Sequence, residues 1–174
     1  MAGFNTNRVA KKAGVSVGSL YQYFPNKQAL ARNLIGNRVR VAEALKPAEL
    51  REDAATTLEE GILASIRWHL AVHLDNPLLE TALNRLATEV LEVGEHDAFE
   101  RRYHEAVGRF LTRHADRLRI GDTSVAALLV TQLLLTVPNR ALIHHPAALK
   151  DGRIEKELSE MILRYLTGTD PINS

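Results

Sequence analysis

The sequence contains no cysteine, which excludes disulfide bonds and cysteine-ligated metal sites. Its longest mainly apolar stretch, residues 125–137, is interrupted by Thr131, Gln132 and Thr136, whereas a bilayer span needs about 20 apolar residues. No basic segment followed by an apolar run resembles a signal peptide. The apolar fraction of 45% is sufficient for a buried core. We therefore expect a soluble cytoplasmic protein that does not enter a membrane.

Acidic residues are absent from the first 42 positions, which contain seven lysines and arginines. The remainder has 15 basic and 21 acidic residues, so a segment of charge +7 precedes a body of charge −6. This asymmetry is typical of a polyanion-binding head on an acidic scaffold. A solvated charge cluster would show the same asymmetry, so charge alone does not decide between the two.

Strand-like alternation is lacking, and almost every segment has the periodicity of a helix, which predicts an all-α protein. Composition and charge sign change together between Ala42 and Leu50. We place a domain boundary there, with residues 1–45 as the head and 46–174 as the body. A loop is expected between His145 and Gly152. Helices are predicted at residues 6–13, 17–24, 27–45, 55–75, 77–93, 96–119, 122–145 and 153–167.

The most informative stretch is RVAKKAGVSVGSLYQYFPNK, residues 8–27. Two short helices joined by a tight turn with glycine form a helix-turn-helix. Gly14 can adopt the positive φ of such a turn, and Ser16 is a good N-cap for the second helix. The apolar residues predicted to pack between the helices are Val9, Ala10, Ala13, Val15, Leu20 and Phe24. The residues predicted to face outward, toward phosphates and base edges, are Val17, Gly18, Ser19, Tyr21, Gln22 and Tyr23.

The run AGVSxGSLYQYFPNKxxL at residues 13–30 resembles the DNA-binding signature of the TetR (tetracycline-repressor-like) family. The match is dense over residues 6–30, and the rest resembles the family in length and helical layout. The resemblance implies a transcription regulator with an N-terminal helix-turn-helix and a helical ligand-binding and dimerisation domain. It implies base contacts by Val17, Gly18, Ser19 and Gln22. It implies phosphate or base contacts by Tyr21 and Tyr23, and DNA-backbone contacts by Thr6 and Lys27.

One feature departs from the family pattern, because a complete helix normally precedes this motif and here only four residues do. Gly3 and Phe4 resemble the end of that helix. We expect the DNA-binding domain to lack its first helix, so that Leu20 and Phe24 lose part of their cover. A gene that starts further upstream, a trimmed chain or a weakened head would each account for this.

The resemblance also implies dimerisation through the last two long helices. Residues 123–145 are strongly apolar, and 153–167 carry apolar residues at helical spacing. The candidates for a four-helix interface are Leu128, Gln132, Leu135, Leu158, Met161, Ile162 and Tyr165. A monomeric core is the alternative for the same residues.

An effector pocket inside the body is likewise implied by the resemblance. Large aromatics with a few polar groups suit such a pocket, although each residue taken singly is as typical of a plain core. The candidates are Trp68, His69, Val72, His73, Leu86, Phe99, Tyr103 and Gln132. His69 and His73 have a spacing that zinc can use, but no third ligand is indicated, so neither a metal nor a cofactor is predicted.

The sequence therefore predicts a homodimeric repressor that binds double-stranded operator DNA and is released by a small hydrophobic effector. One alternative is a helical ligand-binding dimer that has lost DNA binding. A small helical enzyme is the other, but no nucleophile elbow, phosphate loop or metal motif supports it.

Overall fold

The computed structural model describes residues 5–51, 54–90 and 93–168, except for the side chains of Thr88 and of residues 93–99. These residues form α-helices joined by turns and loops, with no β-strand among them, so the all-α prediction is confirmed. The helices are α1 (Thr6–Ala13), α2 (Val17–Tyr23), α3 (Lys27–Ala44), α4 (Leu58–Asp75), α5 (Pro77–Val90), α6 (Val93–Arg113), α7 (Thr123–His144), α8 (Pro146–Lys150) and α9 (Arg153–Thr167). Short 3₁₀ turns lie at Ala48–Leu50 and Ala115–Arg117.

The ends of the N-terminal helices follow from their capping residues. Gly14 ends α1 with φ of 70°, the left-handed conformation that only glycine adopts readily. Ser16 then caps α2, because its Oγ accepts a hydrogen bond from the Ser19 N–H at 2.9 Å. Asn26 caps α3 in the same way, through the Ala29 N–H at 2.7 Å. The predicted helix-turn-helix is therefore present with its predicted caps.

Three local predictions were wrong. The small residue buried between α1 and α2 is Ala10, whereas Ala13 is exposed because it lies on the outer side of α1. Val15 is exposed too, since the turn directs it away from the head core. The expected loop after α7 contains α8, which Pro146 can begin because the first helical position needs no N–H donor.

The buried apolar residues form three clusters, two of which include residues of α3. A small head core joins Ala10, Leu20 and Leu30. A second cluster joins Ala31 of α3 with α5. The large body core is built from α4, α6, α7, α8 and α9. Because α3 contributes to both of the first two clusters, it connects the head to the body directly.

Helix α7 is, within the described ranges, the one helix long and apolar enough to cross a membrane. Eight of its 22 residues are buried in the subunit, and Val130 and Leu134 are almost fully enclosed. The central helix of a protein core needs the same composition. Packing inside the subunit therefore accounts for much of its apolar character.

Candidate nucleic-acid interface and ligand cavity

The outer surface of α2 carries most of the residues predicted to face DNA. Tyr23 is 80% exposed, and Tyr21, Gln22 and Gly18 are also exposed. The Ser19 Oγ lies 2.8 Å from the Ser16 Oγ, so its position is fixed by the cap of the same helix. Val17 differs from the prediction, because it packs against the head core and is only partly accessible.

Thr6 and Tyr21 form a joint polar edge beside this surface. Their hydroxyl oxygens lie 3.3 Å apart, although the two residues come from different helices. The first amides of α1 are already occupied, because the Asn5 Oδ1 accepts hydrogen bonds from the N–H groups of Asn7 and Arg8. Any anion contact at this corner therefore comes from the side chains rather than from those two amides.

The positive charge of the head is distributed unevenly. Arg8, Lys11 and Lys12 are exposed on α1. Lys27 lies in the first turn of α3, close enough to Glu89 of α5 for the two charges to interact. Arg38 belongs to the basic segment by sequence, but its side chain is only 14% exposed and contacts the body. It therefore adds little to the field that faces outward from the head.

A cavity of about 180 Å³ lies between α3, α4, α5 and α7. Its apolar lining residues are Ile35, Val39, Ala42, Trp68, Val72, Leu83, Ala87 and Leu135. Its polar lining residues are Arg38, Glu43, His69, His73, Glu80, Asn84 and Asn139. An apolar wall with a few polar groups is typical of a small-molecule site.

The structure brings four of the eight predicted pocket residues to this cavity: Trp68, His69, Val72 and His73. Leu86 is instead buried in the cluster between α3 and α5. Gln132 is exposed on α7, on the side away from the core. Tyr103 packs against the body core beside His69 and does not line the cavity. The side chain of Phe99 lies outside the described part of α6.

His69 is held by its neighbours at the cavity wall. Its Nδ1 donates a hydrogen bond to the Ser65 carbonyl at 2.7 Å, four residues earlier in α4. The rings of Trp68 and Tyr103 meet it edge-on, with centroid distances of 4.7 and 5.0 Å. Burial lowers the pKa of His69 to about 4, so the imidazole is neutral near pH 7. Burial also raises the pKa of Tyr103, whose hydroxyl lies 2.9 Å from the Ser65 Oγ.

Arg38 connects three helices at the same wall. Its Nε donates to the Glu80 carboxylate of α5, and its Nη2 donates to the Val72 carbonyl of α4 at 2.7 Å. Its Nη1 lies 3.8 Å from the Asp75 carboxylate. The side chains of Arg38 and Glu80 are only 14% and 7% exposed. This buried ion pair fixes the middle of α3 to the body.

Amides and imidazole form a second polar connection across the cavity. The His73 Nε2 lies 2.9 Å from the Asn139 Oδ1 of α7, and the Asn84 amide of α5 donates to the same oxygen. The Trp68 indole N–H donates to the Ala42 carbonyl at 3.1 Å, near the end of α3. All four helices around the cavity are thus linked through side chains that line it.

An apolar strip remains exposed on α7 and α9. Leu128 is 50% exposed and Met161 47%, and Val125, Leu129 and Tyr165 are similarly accessible. Three residues predicted at a dimer interface lie elsewhere. Leu158 and Ile162 are enclosed in the body core because they lie on the inward side of α9, and Leu135 lines the cavity. Gln132 lies on the exposed side of α7 with Leu128.

Sequence reasoning missed Arg38, Glu80, Asn84 and Asn139. A signal for Arg38 was available, because positions 35, 38, 39 and 42 recur as one side of a helix and only position 38 is charged. No comparable sequence pattern singles out Glu80, Asn84 or Asn139. Their role depends on which helices pack together, and the helical pattern does not contain that information.

Two family models match the chain. One, described as "Bacterial regulatory proteins, tetR family", matches residues 1–34. The other, described as "Tetracyclin repressor-like, C-terminal domain", matches residues 57–166 and alone covers more than half of the chain. No curated protein matches the chain. The chain therefore belongs to the TetR family and is a DNA-binding transcription regulator rather than an enzyme.

Proposed function

We propose that the protein is a repressor whose operator binding is released by a small, mainly apolar effector in the cavity of the body. The observation that carries this proposal is the double role of α3. Leu30 of α3 belongs to the head core, while Ile35, Val39 and Ala42 of the same helix line the cavity. A ligand that favours one position of α3 against the body thereby favours one position of the head. The size of the effect is limited by the ligand's differential affinity for the two states.

The exposed surface of α2 supports a division of labour in DNA binding. Ser19 and Gln22 are assigned to base edges together with Gly18 and the accessible part of Val17. Thr6 and Lys27 are assigned to the DNA backbone, and Tyr21 and Tyr23 to phosphates or bases. We place the head at residues 1–45 and the body at 46–174, in the cytoplasm, where the operator is.

Dimerisation is proposed through the exposed apolar strip of α7 and α9, because operator reading needs two heads about 34–36 Å apart. Leu128 and Gln132 of α7 and Met161 and Tyr165 of α9 form that interface. Exposed apolar strips of this kind mark interaction surfaces in soluble proteins. The strip lies on the opposite side of α7 from its buried residues, so pairing would not disturb the subunit core.

A fluorescence anisotropy titration with the DNA upstream of the protein's own gene tests the operator assignment. Lys27→Ala is expected to weaken binding to all sequences and to reduce the slope of log K against log salt by about 1. Gln22→Ala is expected to change the sequence preference instead. Lys150→Ala, an exposed change on α8, is the matched control and should leave both unchanged.

An unaltered salt slope for Lys27→Ala, or an equal loss on every sequence for Gln22→Ala, would contradict the assigned roles. A dimer that binds a ligand but no DNA would support the alternative of a ligand-binding protein without operator activity.

Sedimentation equilibrium tests the dimer. Leu128→Glu places a charge in the apolar strip and is expected to shift the protein to monomer at micromolar concentration. Leu78→Glu is the control, because Leu78 is an equally apolar, exposed residue on α5 and lies outside the strip. Dissociation by the control variant alone, or by neither variant, would count against this interface.

A further inference from the structure

His69 has a hydrogen-bond acceptor without a partner among the described residues. The Ser65 carbonyl can only accept, so the Nδ1 that faces it at 2.7 Å carries the ring proton. The imidazole is neutral near pH 7, and a neutral ring has one N–H, so the Nε2 keeps its lone pair. His69 is only 7% exposed, and no described residue donates to this nitrogen. The nitrogen is not one of the fully enclosed polar atoms without a partner, so it can be reached from the cavity that His69 lines.

The acceptor is also held in position before any ligand arrives. A rotation of the ring would break the bond to the Ser65 carbonyl and move the ring against Trp68 and Tyr103, which contact it edge-on. The Tyr103 hydroxyl is hydrogen-bonded to the Ser65 Oγ at 2.9 Å, and Tyr103 meets the His69 ring through an edge-on ring contact rather than a hydrogen bond. Since His69 lines the cavity, a molecule inside it, whether water or a ligand, can supply the donor.

The charges around the cavity favour a neutral molecule. Among the described lining residues, Arg38 alone has a fixed positive charge, and its donors are directed to Glu80, Val72 and Asp75. An anion would therefore meet no available cation in the lining and would face the carboxylate of Glu43; Lys46, whose charge acts on His69, lies outside the lining. A cation would lack a buried counter-ion, because Glu80 is paired with Arg38 and Glu43 is exposed. Burial of an unpaired charge is strongly unfavourable.

The volume sets the size of the ligand. An apolar cavity of about 150 Å³ holds a benzene ring, so a cavity of about 180 Å³ suits one ring with a small substituent. Resting on the proposed function, which makes this cavity the effector site, we propose that the effector is a neutral, single-ring-sized molecule whose hydroxyl or N–H donates a hydrogen bond to the His69 Nε2.

Ring compounds of matched size test this inference directly. Trp68 is the single tryptophan and lines the cavity, so its fluorescence reports occupancy without DNA. The probes are cyclohexanol, methoxycyclohexane, cyclohexanecarboxylate and cyclohexylammonium, which do not absorb where tryptophan does. Cyclohexanol is expected to bind about fivefold more tightly than methoxycyclohexane, which has an oxygen but no donor. The two charged rings are expected to bind more weakly than cyclohexanol.

The variant His69→Leu removes the acceptor and should abolish the preference for cyclohexanol over methoxycyclohexane, whereas His114→Leu, outside the cavity lining, should retain it. Equal affinities of the four rings for the unaltered protein, tighter binding of a charged ring, or a preserved preference in His69→Leu would each overturn the inference. The ring series with the unaltered protein decides the matter even if His69→Leu does not fold. Absence of binding by all four rings would overturn the effector half of the proposed function as well, while the anisotropy titration decides operator binding separately.

Discussion

The buried ion pair between Arg38 and Glu80 gives a prediction whose magnitude follows from the structure. Arg38→Met keeps the apolar stem of the side chain but leaves the Glu80 carboxylate, 7% exposed, without its cation. It also removes the donor to the Val72 carbonyl. Removal of one partner of a buried pair lowers the free energy of unfolding by about 3–5 kcal/mol, since the other charge stays buried and unpaired.

The double variant Arg38→Met/Glu80→Leu removes both charges and fills the space with apolar groups. We expect it to recover most of the loss and to remain about 1 kcal/mol below the original protein, because the Val72 carbonyl still lacks its donor. Urea denaturation at constant m-value measures all three free energies. The exposed pair of Arg117 and Glu59, whose atoms lie 2.7 Å apart, provides the matched control.

Arg117→Met should lower the free energy of unfolding by less than about 1 kcal/mol, because solvent screens that pair. The reasoning would be refuted if Arg38→Met were as mild as Arg117→Met. It would also be refuted if the double variant were no more stable than Arg38→Met. Either result would mean that burial of the Arg38 and Glu80 charges, where α3 packs against the body, has little effect on the free energy of unfolding.

Three further predictions concern the body. The pKa of His69 is about 4 in the folded protein against an ordinary 6.5, so between these pH values the unfolded chain takes up a proton that the folded protein does not. The free energy of unfolding should therefore fall by about 3 kcal/mol as the pH drops from 6.5 to 4. A pH profile of stability identical to that of His69→Leu would contradict this. Thr131→Val should raise the free energy of unfolding by roughly 1 kcal/mol, because the buried Thr131 hydroxyl has no partner among the described residues. Thr167→Val should lower it, because the Thr167 hydroxyl donates to the Leu163 carbonyl. Thermal unfolding distinguishes the two variants, and equal shifts would speak against the argument. Gly61→Ala should lower the free energy of unfolding by about 1–3 kcal/mol, because the Phe110 ring occupies the place of the new Cβ. Adding Phe110→Leu to the same chain should recover part of that loss. If the double variant recovered nothing, another contact would be responsible.

The head was predictable because its signals are local. Gly14 and the Ser16 cap act within a few residues of each other, so their spacing alone specifies the turn and the start of α2. Val15 and Val17 are the exceptions. Both are apolar residues near the turn, and periodicity over so short a segment does not establish which of them reaches the core.

The cavity was predictable only in part, because it is made where four helices meet. Trp68 and His69 were identified as pocket candidates from residue type, and they line it. Leu86 and Tyr103 have equally suitable side chains, but the packing directs Leu86 to α3 and Tyr103 to the body core. The contribution of α3 was missed for a related reason, since a boundary drawn by composition assigned that helix to the head.

The size of the cavity agrees with the amount of coupling that the proposed repressor needs. A hundredfold release from the operator requires an effector that binds the released state about 2.7 kcal/mol more tightly than the DNA-binding state. A ligand of about seven non-hydrogen atoms, at roughly 0.3–1.5 kcal/mol per atom, has a total binding free energy of about 2–10 kcal/mol. A large share of the binding energy of such a ligand must therefore be specific to one position of α3. The placement of Ile35, Val39 and Ala42 in the cavity wall suits the proposed release, because a ligand in contact with α3 can distinguish two positions of that helix.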